Sequence, residues 1–331
     1  MRTRTVLSAL AAITIGTAGA FAPTSVRAEF PDRPVKLVVP FGAGGATHTL
    51  ARLFAEQLEQ VLKQSVPVTA VPGSGGAIGS AQVARARPDG YTLLMGSNGT
   101  NGQRWQVSEA GYTLDSFRPL GAVASLPTAW AVKSTNPIKT MQELTERIKK
   151  NPGIKYASVG TGSSLHIAAE RWAAGQKLNI THIAAKGGKD AIVKLLSGEV
   201  ESVVVAAHNL PSQKKGKEEG QLRGLAVSSA EPYAYAADLP TLKSLGVDFT
   251  DVTWWGPMAP KAVPDANFKK LAAAVKQAAQ SPAFLEVLKK FYYVPSYMSA
   301  DEAWVDLQQF SKQAEPILKK IGMHKDLGKK S

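Results

Sequence analysis

The chain has 331 residues, 44% of them hydrophobic, with a formal net charge of +13. It contains no cysteine, which excludes disulfides, thiolate metal sites and a cysteine nucleophile. The length allows two medium-sized domains.

The first 28 residues read as a secretory signal peptide. Arg2 and Arg4 form a positive start, Val6 to Ala22 is mostly apolar, and Val26-Arg27-Ala28 suits cleavage after Ala28, with Ala22 the alternative site. The apolar stretch is short and rich in Ala, Thr and Gly, which fits removal better than spanning a bilayer. An export signal on a cysteine-free chain is compatible with a bacterial periplasm. Part of the positive charge lies in this leader, as Arg2, Arg4 and Arg27. A basic cytosolic protein would suggest nucleic acid. Export, the dispersed lysines and arginines, and the lack of an aromatic-basic motif argue for a field that draws small anions instead.

Val35–Val39 reads as a strand ending at Pro40. A glycine-rich turn follows (Gly42, Gly44, Gly45), then Thr47 and an apolar pattern at helical spacing, Leu50, Leu53 and Phe54. A helix N-terminus has unpaired N–H groups and partial positive charge, and small residues let an anion approach it. Further strands are expected at 66–71, 91–96, 120–124, 129–132, 156–159, 180–183, 202–205 and 225–228. Helices are expected at 50–62, 77–84, 141–151, 165–174, 189–197, 266–280, 282–291 and 301–321. Strand then helix, repeated, predicts an α/β fold with parallel sheets covered on both faces. Thr140 with Glu143, Ser281 with Pro282, and Ser299 with Glu302 mark helix starts. Two apolar, proline-punctuated segments, Pro119–Ser134 and Val252–Pro264, look like crossings between domains. They would divide the chain into 29–125 plus 258–331 and 126–257, with a ligand between the two. The Lys214–Glu219 run (K-K-G-K-E-E) reads as a solvated loop.

The common catalytic signatures are missing: no G-x-S-x-G elbow, no phosphate-binding G-x-x-x-x-G-K-[ST], no G-x-G-x-x-G and no H-E-x-x-H. The five histidines lack a helical metal pair, so no metal, cofactor or catalytic residue is assigned. What recurs is a second loop of the first type. Gly160-Thr161-Gly162-Ser163-Ser164 follows a strand and leads into a helix with His166 in its first turn. Two such loops could hold the two ends of a diacid, or Ser163 and Ser164 could simply cap the helix. Either serine with His166 makes a poor nucleophile and base, because neighbours along one helix seldom face each other.

Several segments occur in the order known from one family: F-P-D-R-P-V-K-L-V-V-P-F-G-A-G-G at 30–45, P-G-S-G-G-A-I-G at 72–79, and R-P-D-G-Y-T-L-L-M-G-S-N-G-T at 87–100. They continue with G-T-G-S-S-L-H-I-A-A-E at 160–170, K-G-G-K-D-A-I-V-K-L-L-S-G-E-V at 186–200, L-R-G-L-A-V-S-S at 222–229, D-L-P-T-L at 238–242 and W-W-G-P-M-A-P at 254–260. The chain thereby resembles the extracytoplasmic receptors of tripartite tricarboxylate transporters, the Bug or TctC family. The resemblance implies a two-lobed periplasmic binding protein of the Venus flytrap type, type II-like, with two connecting strands. Such a protein is a monomer that captures a carboxylate and hands it to membrane subunits.

The resemblance also implies where the ligand sits: at Phe41, Gly42, Ala43, Gly44, Gly45, Ala46 and Thr47, at Asn98, Gly99 and Thr100, and at Gly160, Thr161, Gly162, Ser163, Ser164 and His166. Lys186 and Gly187 belong to a matching loop. Two departures stand out. His48 replaces the usual Asp after Thr47, and Ala206, Ala207 and His208 stand where relatives often carry an acid. Both changes remove negative charge near the expected ligand, which disfavours an ammonium and favours a carboxylate at each end. His48 and His208 join the candidate ligand residues. Trp130, Trp254 or Trp255 could face a flat ring, so an aromatic or medium-length dicarboxylate such as a phthalate isomer is expected. An exported enzyme acting on a carboxylate, or a ligand-sensing subunit of a membrane kinase, are the alternatives.

Overall fold

The structure is a computed structural model and describes residues 29–212 and 221–328. The expected signal peptide and the Lys214–Glu219 loop lie outside the described residues. In chain order the elements are β1 (Lys36–Val39), α1 (Ala46–Leu62), β2 (Val68–Ala70), α2 (Ala77–Ala84), β3 (Thr92–Ser97), α3 (Asn98–Val107), β4 (Phe117–Pro119) and β5 (Ala122–Lys133). Next come α4 (Met141–Lys150), β6 (Ile154–Ser158), α5 (Ser164–Gly175), β7 (Ile180–Ala184), α6 (Gly188–Ser197), β8 (Ser202–Ala206), α7 (Asn209–Ser212) and β9 (Leu222–Val227). The last are β10 (Val252–Pro260), α8 (Asp265–Ala279), α9 (Pro282–Lys290), β11 (Val294–Met298) and α10 (Ala300–Lys320).

The strands build two sheet halves that share β5. In the first half, β1 pairs in parallel with β2 and β3, and β10 runs antiparallel to β3 and β4. In the second half, β6 pairs in parallel with β7 and β8. The start of β5 pairs with β10 and β11, from Ala122 to Pro127, and its end pairs with β8 and β9, from Thr128 to Lys133. β5 therefore leaves one half and enters the other, and β10 runs back beside it, Val252 to Trp255 against Pro127 to Ala124. These are the two connecting strands of a two-lobed binding-protein fold.

Pro127 sits at the handover between the halves, where a strand can do without one N–H donor. Its carbonyl still accepts the Ala207 N–H at 3.0 Å. The two strands expected at 120–124 and 129–132 are thus one strand, because the proline interrupts the sequence pattern and not the pairing. One apolar core runs through both halves: Leu50, Phe54 and Leu58 of α1, Leu271 and Val275 of α8 and Phe284 of α9 belong to the same cluster as Leu195, Val203 and Leu222 of the second half. A separate cluster of Trp130, Leu144, Ile148, Trp172 and Phe249 fills the rest of that second half.

α3 has no counterpart among the helices expected from sequence. Its run N-G-T-N-G-Q carries two glycines and two asparagines, which are poor helix formers. Tertiary contacts hold it instead. The Ser97 hydroxyl accepts the Thr100 N–H (3.0 Å), and the Gln106 amide donates to the Ser311 carbonyl of α10 (2.9 Å). No helix among the described residues is long and apolar enough to cross a membrane.

Candidate binding site

α1, α3, α5 and α6 each begin where a parallel strand ends, after β1, β3, β6 and β7. Ligands of open α/β sheets gather at this edge of the strands. The first turns of the four helices surround a small cavity of about 40 Å³. Gly45, Ala46 and Thr47 line it from α1, Ser97 and Thr100 from α3, Ser164 and Leu165 from α5, and Gly187 and Gly188 from α6. Phe41, Val159, Ala206, Asn209 and Trp255 complete the wall. None of these side chains carries a formal charge.

The four N-termini meet in two pairs, each joining the two sheet halves. At one end the Gly42 N–H donates to the Lys186 carbonyl (3.1 Å), and a Cβ on Gly45 would lie 3.6 Å from the Gly188 nitrogen. At the other end a Cβ on Gly99 would meet the Ser164 side chain. The pairs differ in chemistry. α1 and α6 start at Gly45 and Gly187 and have no side-chain cap, so their first N–H groups stay available to an anion. α3 and α5 are capped by Ser97 and Ser163, whose hydroxyls accept the Thr100 and His166 N–H groups. Hydroxyls then line that end. Thr100 and Ser164, and Thr47 opposite, line the cavity, and their hydroxyls make no hydrogen bond among the described residues. They are free to donate to or accept from a polar ligand.

The expected ligand residues divide. Phe41, Gly45, Ala46, Thr47, Thr100, Ser164 and Gly187 line the cavity. Gly42, Ala43 and Lys186 line a shallow depression at its α1–α6 end, and Gly44 borders an outer groove with Lys189 and Phe291. Asn98 and Gly99 lie behind the wall. The Asn98 carbonyl oxygen accepts the Trp254 N–H (3.1 Å) and its amide donates to the Val252 carbonyl (3.2 Å), tying α3 to β10. Gly160, Thr161 and Gly162 press on the other half instead, against Gly75 and Arg104. Ser163 is the buried cap of α5.

None of the three histidines singled out in the sequence lines the cavity. His48 is half-buried on α1, and burial together with nearby Arg52 lowers its pKa. His208 is buried and stacks on Tyr293, ring centroids 5.1 Å apart. His166 stacks on His182 at 3.8 Å, and its Nδ1 accepts the Gly162 N–H (2.8 Å), so Nδ1 carries no proton. Burial first, then the His182 and Arg104 charges, push its pKa down to about 3. His166 braces the glycine loop in neutral form.

Of the tryptophans, Trp255 lines the cavity. Trp254, next along β10, turns away and donates its indole N–H to Asp306 at 2.5 Å, while Trp130 packs with Trp172 and Phe249. Sequence reasoning missed Ser97, Val159, Leu165, Gly188, Ala206 and Asn209. Ser97 before the asparagine–glycine pair was recognisable as a helix cap. The others face the cavity only because the two halves meet. Among the described residues there is no group of three or more His, Cys, Asp or Glu placed to hold a metal ion.

The sequence pattern described as "Tripartite tricarboxylate transporter family receptor" matches residues 50–323. A UPF0065 protein of Bordetella pertussis is 30% identical over 91% of this chain and 94% of its own length. The structure of periplasmic binding protein BugD superposes with a TM-score of 0.81 at 32% identity, covering 89% of this chain and all of the other. A Rhodopseudomonas palustris protein with adipate gives a TM-score of 0.81 at 27% identity, covering 90% of this chain and 100% of that one.

Proposed function

The chain belongs to the tripartite tricarboxylate transporter receptor family, and from that premise we propose that it binds a small dicarboxylate in the cleft between its lobes and delivers it to the membrane subunits of such a transporter. The lobes are 29–125 with 258–331, and 126–257. The protein works in the periplasm after loss of its first 28 residues.

The observation that carries this reading is the pairing of helix N-termini at the two ends of an uncharged cavity. One carboxylate is held by the uncapped N–H groups of α1 and α6, and the other by the hydroxyls at the starts of α3 and α5. Helix N-termini stabilise anions without a lysine or arginine in contact. Phe41, Val159, Ala206 and Trp255 supply an apolar middle. The adipate bound by the Rhodopseudomonas palustris relative has this two-ended form. Trp255 adds a flat wall, which favours an aromatic or medium-length diacid such as a phthalate isomer. Each carboxylate touches both lobes, so the dianion favours the closed arrangement over an open one.

Thermal unfolding with adipate, the three phthalate isomers, benzoate and glutamate tests the reading, since a ligand of the folded state raises its stability. Dicarboxylates raise the midpoint and the zwitterion does not. A response to glutamate alone would refute it.

A further inference from the structure

Arg104 lies on α3, one turn beyond Thr100, on the same side of the helix. It is 3% exposed. Its guanidinium donates to the Ser74 carbonyl (2.9 Å), the Ser74 hydroxyl (2.8 Å) and the Ser108 hydroxyl (2.9 Å). No carboxylate lies within ion-pairing distance of it among the described residues. The opposite lobe covers it: a Cβ on Gly162 would fall 2.8 Å from its Cδ and Nε. Tyr112 and His166 are neutral, and the Glu170 carboxylate, which accepts the Tyr156 hydroxyl and lies 3.7 Å from His166 Nε2, forms no ion pair with Arg104.

A buried cation without a counter-ion is costly, and the cost arises when Gly162 closes over it. The hydrogen bonds to serine engage three of the five N–H groups and leave the charge unbalanced. We propose that Arg104 is a specificity-determining residue of this receptor: its unpaired charge disfavours closure on a cleft that is empty or holds a monoanion seated at the uncapped α1–α6 end, and is offset by the second carboxylate of a dianion at the α3–α5 end of the cavity. The inference rests on the dicarboxylate reading above. Arg104 acts through the field and not by contact, because it does not line the cavity. At the separations of a helical turn or two, one such charge changes a carboxylate's affinity by about tenfold or more.

The test compares acids with their monoamides, which keep the shape and remove one charge: terephthalate with 4-carbamoylbenzoate, and adipate with adipamate. Calorimetry on wild type, R104K and R104M reads the ratio of the two affinities. The wild type favours the dianion, R104K keeps most of that preference, and R104M loses it by about tenfold with little change for the monoamide. Scattering on ligand-free R104M shows a more compact particle than wild type. R104Q replaces R104M for both readouts if the methionine variant does not fold. A wild type that binds neither diacid overturns the dicarboxylate reading, and this inference with it. A neutral variant that keeps the wild-type ratio overturns the role of Arg104 alone.

Discussion

Gly99 and Ser164 meet across the cleft at a point where a side chain on the first residue has no room. A Cβ on Gly99 would sit 2.8 Å from the Ser164 hydroxyl and press still harder on its Cβ. Gly99 is helical with no left-handed backbone requirement, so alanine suits α3 locally and is favoured by up to about 1 kcal/mol. Gly99→Ala should therefore keep or raise the stability of the ligand-free protein while wedging the lobes apart. Overpacking at such a contact costs about 1–3 kcal/mol, so dicarboxylate affinity falls about tenfold or more. Calorimetry with a matched denaturation curve checks both halves of this prediction.

The Ser164 hydroxyl lines the cavity and has no hydrogen-bond partner among the described residues. Removing it costs the empty protein almost nothing. A hydrogen bond to a charged group contributes about 1.5–3 kcal/mol, so Ser164→Ala should weaken dicarboxylate binding by about tenfold or more. Equal affinity for wild type and variant in a titration would mean that this serine does not touch the ligand.

Trp255 is the aromatic wall of the cavity, and Trp254 faces the other way onto Asp306. Trp255→Leu should lower affinity for terephthalate more than for adipate, by about 1 kcal/mol of ring packing. Trp255→Phe should keep part of the difference. Paired titrations with the two acids read the ratio, and an unchanged ratio would count against a ring at this wall.

Acid should destabilise the fold through its buried histidines. Burial lowers His166 to about 3 and His182 and His208 to about 4, against about 6.5 in an unfolded chain. Between those values the unfolded chain takes up protons that the fold refuses. The stabilisation is complete above about pH 6.5 and is lost as pH falls towards about 4 and then 3, by at most about 1.4 kcal/mol per pH unit for each histidine. Glu170 and Asp251, raised mainly by burial, act in the opposite sense and lose stabilisation as pH rises. Urea midpoints between pH 7 and 4 should fall, and His182→Asn should flatten the slope.

Much of this was legible along the chain. Repeated strand and helix patterns marked the α/β class, and the loops at 41–47 and 160–164 announced helix N-termini through their glycines and hydroxyls. β11 and α3 were not legible. Pro295 and the glycines of the N-G-T-N-G run speak against a strand and a helix, and pairing with β5 and packing on α10 decide otherwise. The three histidines looked prominent in sequence because histidine is versatile chemically. Burial removes them from the cavity and gives His166 a bracing part instead.

By itself the sequence determined the secondary structure wherever local period and caps agree, and the small-residue loops that leave helix N–H groups bare. It carried the family match as well. Only the tertiary structure decided which of those helix ends face each other, that Ser97, Asn209 and Trp255 share a wall with them, and that Arg104 is buried without an ion pair among the described residues. Those facts depend on distances between segments far apart along the chain, set by how β5 and β10 carry it from one lobe to the other and back. No local pattern of residues encodes them.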